Sequence, residues 1–410
     1  MSSATPAFLD YEKSLACIHC GLCLSSCPTY LETGNENDSP RGRIYLMRAL
    51  QSNAVPLADT SVRHIDLCLG CRACEAACPS GVHYGELLES TRDHIEKHHH
   101  RSRWQRFLRR VAIEKVFPFP SRLRLALFPA LLLRRLRLTV LLPRALREAM
   151  ALLPERSTKT DLPALSPAQA ERKSSAGFLS GCVMSVLFGE TNAATVRLLN
   201  QSGFEVHTPR EQVCCGALFA HSGQLEKARS CARENIAIFE NLNVDVIAIN
   251  AAGCGSTLKD YGHLLQDDPA WSGRARTFAA RVRDISELLP PANNPSCVTQ
   301  TVTVHDACHL AHAQRIVKPP RMLVKARAGN HFVELPEADV CCGSAGSYNL
   351  TEPAMAERLQ KRKVENIIRS GAKIVITTNP GCILQIRAGL AKAGRPDIEV
   401  LHLADFLLKS

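Results

Sequence analysis

The 410-residue sequence contains no run long enough to cross a membrane. A membrane-spanning helix needs about 18 or more apolar residues in succession. The best candidate, residues 125–133, is ended by Arg134 and Arg135. The first ten residues have no basic segment followed by an apolar core. We therefore expect no secretory signal and a reducing, cytoplasmic location.

Motifs for organic redox cofactors and nucleotides are also missing. The sequence contains no P-loop, and no G-x-G-x-x-G follows a predicted strand. Gly253 and Gly255 flank Cys254, but the third glycine of that pattern is replaced by Leu258. We therefore expect no flavin or nicotinamide on this chain. A partner protein would have to supply the organic hydride acceptor.

Cysteine, in contrast, is abundant. The chain has 18 cysteines, and most of them fall in a few short motifs. In a reducing compartment such clusters indicate metal ligands rather than disulfides.

Two copies of C-x2-C-x2-C-x3-C-P lie in the first eighty residues. This spacing is typical of two-cluster ferredoxins, in which the fourth cysteine of each copy ligates the other cluster. It predicts one [4Fe–4S] cluster on Cys17, Cys20, Cys23 and Cys78, and another on Cys68, Cys71, Cys74 and Cys27. The alternative is a pair of structural zinc sites, which would leave the third cysteine and the trailing Cys-Pro without a role.

Residues 1–95 read as a helical domain, because the stretch between the two cysteine motifs is too long for a compact β-type ferredoxin. We predict helices near residues 40–50, 62–67 and 85–95. The domain resembles the α-helical ferredoxin of succinate dehydrogenase-type iron–sulfur subunits. The segment Ser39-Pro40-Arg41-Gly42-Arg43 belongs to that resemblance, and we interpret it as a helix start with solvated arginines.

Residues 96–175 form a basic connector. The stretch 97–150 has 14 basic and two acidic residues, a net charge of +12, against +11 for the whole chain. Arginines mixed with apolar residues suit the surface of an anionic membrane. The alternative is a linker packed on this chain or on a partner. No nucleic-acid-binding module accompanies the charge. We expect Pro118, Pro120, Pro129 and Pro143 to break the connector into short helices, and residues 154–175 to be a flexible linker.

From residue 176 the chain repeats itself, as 176–293 and 294–410. Three landmarks recur: a lone cysteine, a Cys-Cys-Gly, and a final cysteine, with offsets of 126, 127 and 128 residues. Such a register indicates a duplication. Strand-like and helical patterns alternate in each half, which predicts parallel sheets covered by helices. The cysteines would then lie at the carboxyl ends of the strands. The whole chain is thus predicted to be an α+β multidomain protein, a helical ferredoxin followed by a duplicated α/β region.

The repeats resemble the cysteine-rich CCG domains of heterodisulfide reductase subunits and lactate-utilisation proteins. That family has five cysteines per repeat, but the first cysteine of each final C-x2-C pair is missing here, and Ala251 and Asn379 stand in its place. Two interpretations of these cysteines stay open. They could hold an iron–sulfur or zinc centre, assisted in the second repeat by His305 or His309, or they could be structural thiols without a metal. Cys231 and Cys297 lie outside both patterns. The remaining thiols are Cys182, Cys214, Cys215 and Cys254 in repeat 1, and Cys308, Cys341, Cys342 and Cys382 in repeat 2.

The order of these parts most resembles the glycolate oxidase (glycolate dehydrogenase) iron–sulfur subunit family. The resemblance implies FAD-containing partner subunits that oxidise glycolate to glyoxylate, and no catalytic residue on this chain. It also implies electron transfer to a quinone-type acceptor at the cytoplasmic face of the inner membrane. Two alternatives are kept: a subunit of a sister complex, such as anaerobic glycerol-3-phosphate dehydrogenase or a heterodisulfide-reductase-like enzyme, and a CCG region that is only a docking adaptor.

Overall fold

The structure is a computed structural model that describes residues 8–136, 160–291 and 298–409. The predicted boundary between the repeats, at residue 293, and Cys297 lie outside the described residues. So does Pro143. Within the described residues the chain is mixed helix and strand, with a helical N-terminal domain and two α/β repeats.

The N-terminal domain is built from helices, as its sequence predicts. The third helix begins where expected, because Pro40 stands at its first turn and the Ser39 hydroxyl accepts a hydrogen bond from the Gly42 N–H at 3.0 Å. The sixth helix continues to His98, past the predicted domain boundary at residue 95. The six helices are α1 Tyr11–Leu15, α2 Pro28–Thr33, α3 Pro40–Gln51, α4 Asp59–Asp66, α5 Ala73–Ala76 and α6 Tyr84–His98.

The connector contains two helical segments in its described part. Helix α7, Arg103–Arg109, continues as a π-helical stretch, Arg110–Val116, and α8 follows at Pro120–Arg135. Pro120 begins α8 as expected, but Pro129 lies inside it, so the predicted break there is wrong. A proline removes only one backbone donor. The acceptor it leaves is the carbonyl of exposed Leu125, which water can reach. None of the described helices is long and apolar enough to span a bilayer.

Repeat 1 is a five-stranded sheet with the order β1-β3-β2-β4-β5. All neighbouring pairs are parallel except β1 with β3, and β1 lies in the segment that we predicted to be a flexible linker. Strand β2 spans the predicted boundary at residue 176. The strands are β1 Leu165–Ser166, β2 Ser174–Phe178, β3 Phe204–His207, β4 Val246–Ile249 and β5 Val282–Asp284. The helices are α9 Met184–Leu187, α10 Gly189–Gln201, α11 Ala217–His221, α12 Leu225–Glu240, α13 Ala252–Lys259, α14 Tyr261–Leu264, α15 Ser272–Arg281 and α16 Ile285–Leu288.

Repeat 2 has a parallel three-stranded sheet, β6-β7-β8. Its β6 and β7 correspond to β2 and β4, while a single bridge from Val302 to Phe332 takes the place of β3. The strands are β6 Val302–Val304, β7 Ile374–Thr377 and β8 Glu399–His402, and the helices are α17 Lys318–Ala328, α18 Tyr348–Thr351, α19 Pro353–Ser370, α20 Pro380–Lys392 and α21 Leu403–Leu408. A π-helical turn, His309–Ala313, follows Cys308.

The two repeats share their hydrophobic cores. One buried cluster joins Ile247 and Ile249 of β4 to Val375 of β7, and a second joins Phe178 to Val304. Polar contacts reinforce the junction: the His402 side chain contacts the carbonyl of Asn250 at 2.7 Å. The duplicated region is therefore one packed unit whose halves meet at the carboxyl ends of β4 and β7.

Candidate iron–sulfur sites and the cysteines of the repeats

The two N-terminal cysteine loops have the same backbone path. His19 and Gly70, two residues after the first cysteine of each loop, both adopt positive φ, at 56° and 64°. Gly21 and Arg72, one residue after the second cysteine, do so as well, at 85° and 59°. Left-handed residues are uncommon outside glycine. Their recurrence at matched positions means that both loops turn their three thiols in the same way.

Cys27 lies with the second loop rather than with its own. It precedes α2 and lines one small cavity together with Cys68, Cys71 and Cys74. All four thiols are buried. The structure thus brings together the four residues predicted for one cluster.

Arg43 lines the same cavity and is fully buried, so its predicted solvated position is wrong. One guanidinium nitrogen, Nη1, lies 4.0 Å from the Cys27 sulfur and 3.1 Å from the Thr29 hydroxyl. The other, Nη2, has no hydrogen-bond partner among the described residues and lies 3.8 Å from the Asp38 carboxylate. A buried cation costs free energy unless negative groups compensate it. A [4Fe–4S] core together with its four thiolate ligands would carry a net negative charge that adds to that of Asp38, and the residues present therefore fit such a cluster.

The helical register of Arg43 could have revealed its position. It shares one face of α3 with Met47 and Leu50, at spacings of four and seven residues, and both are buried.

Polar groups surround the Cys68 sulfur in the same cavity. The Gly70 N–H donates to it at 3.4 Å, and the Tyr84 hydroxyl at 3.5 Å. Burial alone opposes thiolate formation, but the positive charges of Arg43 and Arg92 and these donors together lower the pKa of Cys68. Hydrogen bonds to sulfur and burial are among the features by which proteins set cluster potentials.

The other predicted set lies at the surface. Cys17, Cys23 and Cys78 are half-buried against the core of the domain, whereas Cys20 is exposed. Cys23 also receives a backbone hydrogen bond from Arg41, near the start of α3. One predicted cluster site is therefore solvent-accessible and the other is enclosed.

The enclosed site is covered by repeat 2. Cys71 packs in one apolar cluster with Cys308 and Cys341. The Tyr348 hydroxyl donates to the carbonyl of Leu67 at 2.7 Å, and Arg315 donates to the carbonyl of Glu75 at 2.9 Å. The second cysteine loop is thus held directly against the cysteines of repeat 2.

A cavity of about 320 Å³ opens beside Cys68, between the helical domain, the connector and both repeats. Its polar wall includes Arg101, paired with Asp66 at 2.6 Å, and Arg109, paired with Glu96 at 3.1 Å. Its apolar wall is made of Leu69, Ala112, Ile113, Leu218 and Ala345. Cavities of this size and mixed lining are typical of small-molecule sites.

The cysteines of repeat 1 form a line of hydrogen-bonded thiols at the carboxyl edge of its sheet. Cys182 donates to Cys214 at 3.6 Å. This hydrogen bond, together with a second one from Cys215, lowers the pKa of Cys214, and Cys215 further contacts Cys254. Gly216 has φ of 86°, and a Cβ there would lie 3.2 Å from the Cα of Ala228, so the glycine lets the motif pack against α12.

The cysteines of repeat 2 are hydrogen-bonded in series, from Cys308 through Cys341 and Cys342 to Cys382, and all four are buried. Of the two candidate histidines, His305 lies with the cysteines. His309 instead stacks on His221, with ring centroids 5.0 Å apart.

Two residues near these thiols were not predicted from the sequence. Lys363 is buried and lies close enough to Cys341 and Cys342 to interact with them electrostatically. Asn379, identified only as the replacement of a cysteine, donates to the Cys382 sulfur at 3.5 Å. The sequence could have indicated that Lys363 is buried. Lys363 lies four residues from Leu359 and four from Ile367, which puts it on the buried face of α19.

Comparison with known proteins agrees with this architecture. A family model described as a 4Fe-4S dicluster domain matches residues 13–82, and a cysteine-rich domain model matches residues 176–259 and 302–387. The probable glycolate oxidase iron-sulfur subunit of Bacillus subtilis is 40% identical over 98% of this chain and 95% of its own length. The glycolate oxidase iron-sulfur subunit of Escherichia coli is 35% identical over 93% of this chain and 91% of its own. The chain belongs to the glycolate oxidase iron–sulfur subunit family.

A more distant relative also matches along nearly the whole chain. One subunit of the fumarate reductase (CoM/CoB) of Methanothermobacter marburgensis is 29% identical over 98% of this chain and 73% of its own length. Family membership and the dicluster match make this chain an electron-transfer iron–sulfur subunit of an oxidoreductase complex that carries [4Fe–4S] clusters. The predictions of family and cofactor class are confirmed.

Proposed function

We propose that this chain receives electrons from an FAD-containing partner that oxidises glycolate to glyoxylate, and delivers them to a quinone-type acceptor at the cytoplasmic membrane surface. Cys17, Cys20, Cys23 and Cys78 would hold one [4Fe–4S] cluster, and Cys68, Cys71, Cys74 and Cys27 the other. When bound, the clusters supply one-electron transfer. The donor is inferred from the names of the Bacillus subtilis and Escherichia coli relatives.

The observation that carries the proposal is an apolar patch around Cys20, which we call the loop patch. It consists of five exposed large apolar side chains, with Ile18 at 70% and Tyr45 at 68% exposure. Tyr45 of α3 meets His19 of the first loop, with ring centroids 6.5 Å apart, and α1 packs on α3, so the loop and both helices adjoin one another. Exposed apolar side chains grouped beside a functional group indicate a protein interface. We propose that the flavoprotein docks here, at the exposed cluster site. The loop patch comprises Tyr11, Leu15, Ile18, Leu22 and Tyr45.

The chain's own residues give the two sites different tasks. The first loop leaves Cys20 open to a partner, whereas repeat 2 excludes water from the second. The cavity beside Cys68 would admit the head of a quinone. Its walls offer the apolar contacts and the few polar groups that such a ring needs.

The connector supplies features that suit a membrane surface. One face of α8 packs on repeat 1 through Leu123 and Leu127. Another carries an exposed stripe of apolar residues at helical spacing, continued by the residue that follows the helix. We call it the α8 stripe: Leu125, Phe128, Leu132 and Leu136. The connector is also strongly basic, which favours binding to anionic lipid.

The first experiment uses the complex isolated anaerobically from source cells. We expect glycolate to bleach the iron–sulfur absorbance, and glycerol 3-phosphate to leave it unchanged. Bleaching by glycerol 3-phosphate alone would keep the carrier role and assign the chain to a sister complex. Absence of bleaching by any 2-hydroxy acid, in a complex that dithionite reduces, would contradict the proposed donor.

The loop patch is tested by Ile18→Glu, with Leu165→Glu, an exposed site on β1, as the matched control. We expect only Ile18→Glu to abolish co-purification of the flavoprotein and bleaching by glycolate, because a buried charge at an interface is costly. Iron content and reduction by dithionite should be normal in both. Retention of the flavoprotein by Ile18→Glu would show that the patch is not the docking site.

The cavity is tested by Ala112→Phe, which fills it, against Val111→Phe, which does not line it. We expect Ala112→Phe to weaken use of a soluble quinone analogue about tenfold, equivalent to about 1.4 kcal/mol of binding free energy. Glycolate bleaching should not change. Equal quinone kinetics in both variants would remove the cavity from the proposal.

The α8 stripe is tested by flotation with anionic phospholipid vesicles. Leu132→Glu should abolish flotation and Leu165→Glu should not, and high salt should weaken flotation of the unaltered protein because surface charges are screened. Salt-independent flotation, or flotation of Leu132→Glu, would contradict docking through this stripe.

A further inference from the structure

Three ligand-type side chains meet in repeat 2. One ligand atom each from His305, Cys342 and Cys382 lies within 4.8 Å of the other two, and all three residues are buried. They come from the end of β6, the Cys-Cys-Gly motif and the first turn of α20. Residues far apart in sequence therefore converge at the carboxyl edge of the sheet.

The imidazole of His305 is oriented as a ligand. Its Nδ1 contacts the carbonyl of Ala338 at 3.0 Å, which places the proton on that nitrogen. Its Nε2 is buried and has no hydrogen-bond partner among the described residues. Histidines that bind metals usually donate their other N–H to a carbonyl or carboxylate, which fixes the tautomer and frees the ligating nitrogen. A buried nitrogen lone pair without a donor is otherwise unfavourable.

The spacing of these atoms suits a single ion. A tetrahedral zinc ion with bonds of about 2.0 to 2.3 Å holds its ligand atoms roughly 3.3 to 3.8 Å apart. The upper bound of 4.8 Å here is within about 1 Å of that separation. None of the eight cysteines of the N-terminal loops, all within the described residues, belongs to such a compact group. That difference fits cubanes, in which each cysteine binds a separate iron.

The surroundings compensate thiolate charge. Asn379, which replaces the first cysteine of the family's final pair, donates a hydrogen bond to the Cys382 sulfur at 3.5 Å. Lys363 is buried, and its ammonium group interacts with Cys341 and Cys342. Its hydrogen bonds to the carbonyls of Glu337 and Ala338 hold it on the segment that also binds His305.

We propose that repeat 2 binds one zinc ion through His305 Nε2 and the thiolates of Cys342 and Cys382. Two thiols and one imidazole form a soft, tetrahedral-type ligand set. Cys341, whose thiol hydrogen-bonds to that of Cys342, is the adjacent candidate for the fourth position. Binding releases the two thiol protons and involves no electron transfer. The site is independent of the identity of the electron donor.

Repeat 1 does not offer the same set. Leu179 stands at the position equivalent to His305, and the repeat 1 cysteines, which all lie in the part of the chain that the structure describes, form no group of three mutually close ligand atoms. We therefore expect one zinc ion per chain, in repeat 2, and not two.

The test is the metal content of the complex isolated anaerobically from source cells. We expect about one zinc and about eight irons per chain. His305→Ala should lose the zinc and keep the iron. The matched control is His309→Ala. It also removes a buried imidazole, four residues along the chain from His305, but His309 does not belong to the group of His305, Cys342 and Cys382. His305→Cys should keep the zinc, since a thiolate replaces the imidazole.

Several outcomes would overturn the proposal. Unaltered protein without zinc would do so, and so would zinc retained by His305→Ala. An iron content near twelve per chain, of which about four are lost in His305→Ala, would show that repeat 2 holds a third cluster instead. X-ray absorption at the zinc edge gives a readout that does not depend on any variant. We expect sulfur at about 2.3 Å and nitrogen at about 2.0 Å, and a shell of oxygen only would contradict the assignment.

Discussion

Repeat 1 and repeat 2 share one backbone plan but surround their cysteines differently. Where repeat 2 has His305 and the buried Lys363, repeat 1 has Leu179 and Ala232, at matching positions of the duplicated sequence. Both repeats present a line of thiols at the carboxyl edge of a parallel sheet. Within the described residues, repeat 2 adds a buried imidazole and a buried lysine to that line. A duplicated motif therefore does not imply a duplicated site.

The repeats also differ in their neighbours. Repeat 2 covers the enclosed cysteine loop through Tyr348 and the Cys308–Cys341 pair. Repeat 1 carries α8 of the connector on its core and touches α6. Repeat 2 thus packs its cysteines against the enclosed loop, whereas repeat 1 reaches that loop through an ion pair, in which Asp260 lies 2.5 Å from Arg72.

A third difference lies in the last helix of each repeat. Asp284 caps α16, with its carboxylate accepting from the Ser286 N–H at 2.9 Å. At the matching place His402 caps α21, with Nδ1 accepting from the Ala404 N–H at 3.1 Å. The same capping task is therefore done by a buried acid in one repeat and by a buried imidazole in the other.

The largest effect is expected from the loop that repeat 2 covers. Cys71→Ser should remove about half of the iron and lower glycolate-dependent turnover by at least about 100-fold, since a cluster ligand is lost. Cys20→Ser, in the exposed loop, should also abolish activity. Iron analysis and turnover of the anaerobic complex check both. Cys231→Ser is the control, and full iron with full rate in Cys71→Ser would refute the ligand assignment.

The paired variants Cys215→Ser and Cys342→Ser compare the repeats at matching cysteines. We expect only Cys342→Ser to change metal content, through loss of zinc. If turnover is unchanged in both, the CCG region is a docking adaptor without redox chemistry. Loss of iron in Cys215→Ser would place a cluster in repeat 1 and would contradict the conclusion that only repeat 2 holds a metal.

The next largest effect concerns the buried acid of repeat 1. Burial raises the pKa of Asp284 to about 6, from 3.8. The folded state then binds this proton more tightly than the unfolded state does. The contribution of Asp284 to the free energy of unfolding is therefore fully present below about pH 4 and is lost as the pH rises to about 6. We expect Asp284→Asn to be more stable at pH 7 by up to about 3 kcal/mol. Urea unfolding at pH 5 and pH 7 measures this, and equal pH dependence in variant and parent would contradict it.

The imidazole cap of repeat 2 should respond in the opposite direction. Burial lowers the pKa of His402 from its usual 6.5, so its contribution is present above that pH and is lost as the pH falls. We expect His402→Asn, which keeps a cap, to cost roughly 1 kcal/mol at pH 7.5. Between pH 7 and pH 5 the variant should also lose less stability than the unaltered protein does. An unchanged profile in urea unfolding would show that His402 does not titrate with unfolding.

The smallest effect is expected at the contact between repeat 2 and the enclosed loop. Tyr348→Phe removes one hydrogen bond to the carbonyl of Leu67 and should lower stability by about 1 kcal/mol, with the iron content unchanged. A matched change in repeat 1 is Tyr261→Phe, whose hydroxyl donates to the carbonyl of Cys215 at 2.9 Å. If Tyr261→Phe is destabilised and Tyr348→Phe is not, the Tyr348 hydrogen bond does not stabilise the contact between repeat 2 and the N-terminal domain.

Much of the local structure could be predicted from the sequence, because it depends on neighbouring residues. The proline and serine that begin α3, the alternation of strands and helices, and the duplication all involve short-range patterns. The predictions that failed involve longer-range effects. Arg43 belongs to a basic segment, and only the packing of α2 and α4 against α3 makes it a buried cation. Pro129 reads as a helix breaker, but α8 packs on repeat 1 and continues through it.

By itself, the sequence determined the composition of this protein: eight thiols at ferredoxin spacing, a basic connector, and two repeats in which four thiols each follow the shared pattern. These features are covalent or local. The tertiary structure alone decided that one predicted cluster site is enclosed and the other exposed, and that His305 rather than His309 joins the cysteines. Burial and mutual distance depend on which distant segments pack together. No spacing along the chain encodes that packing directly.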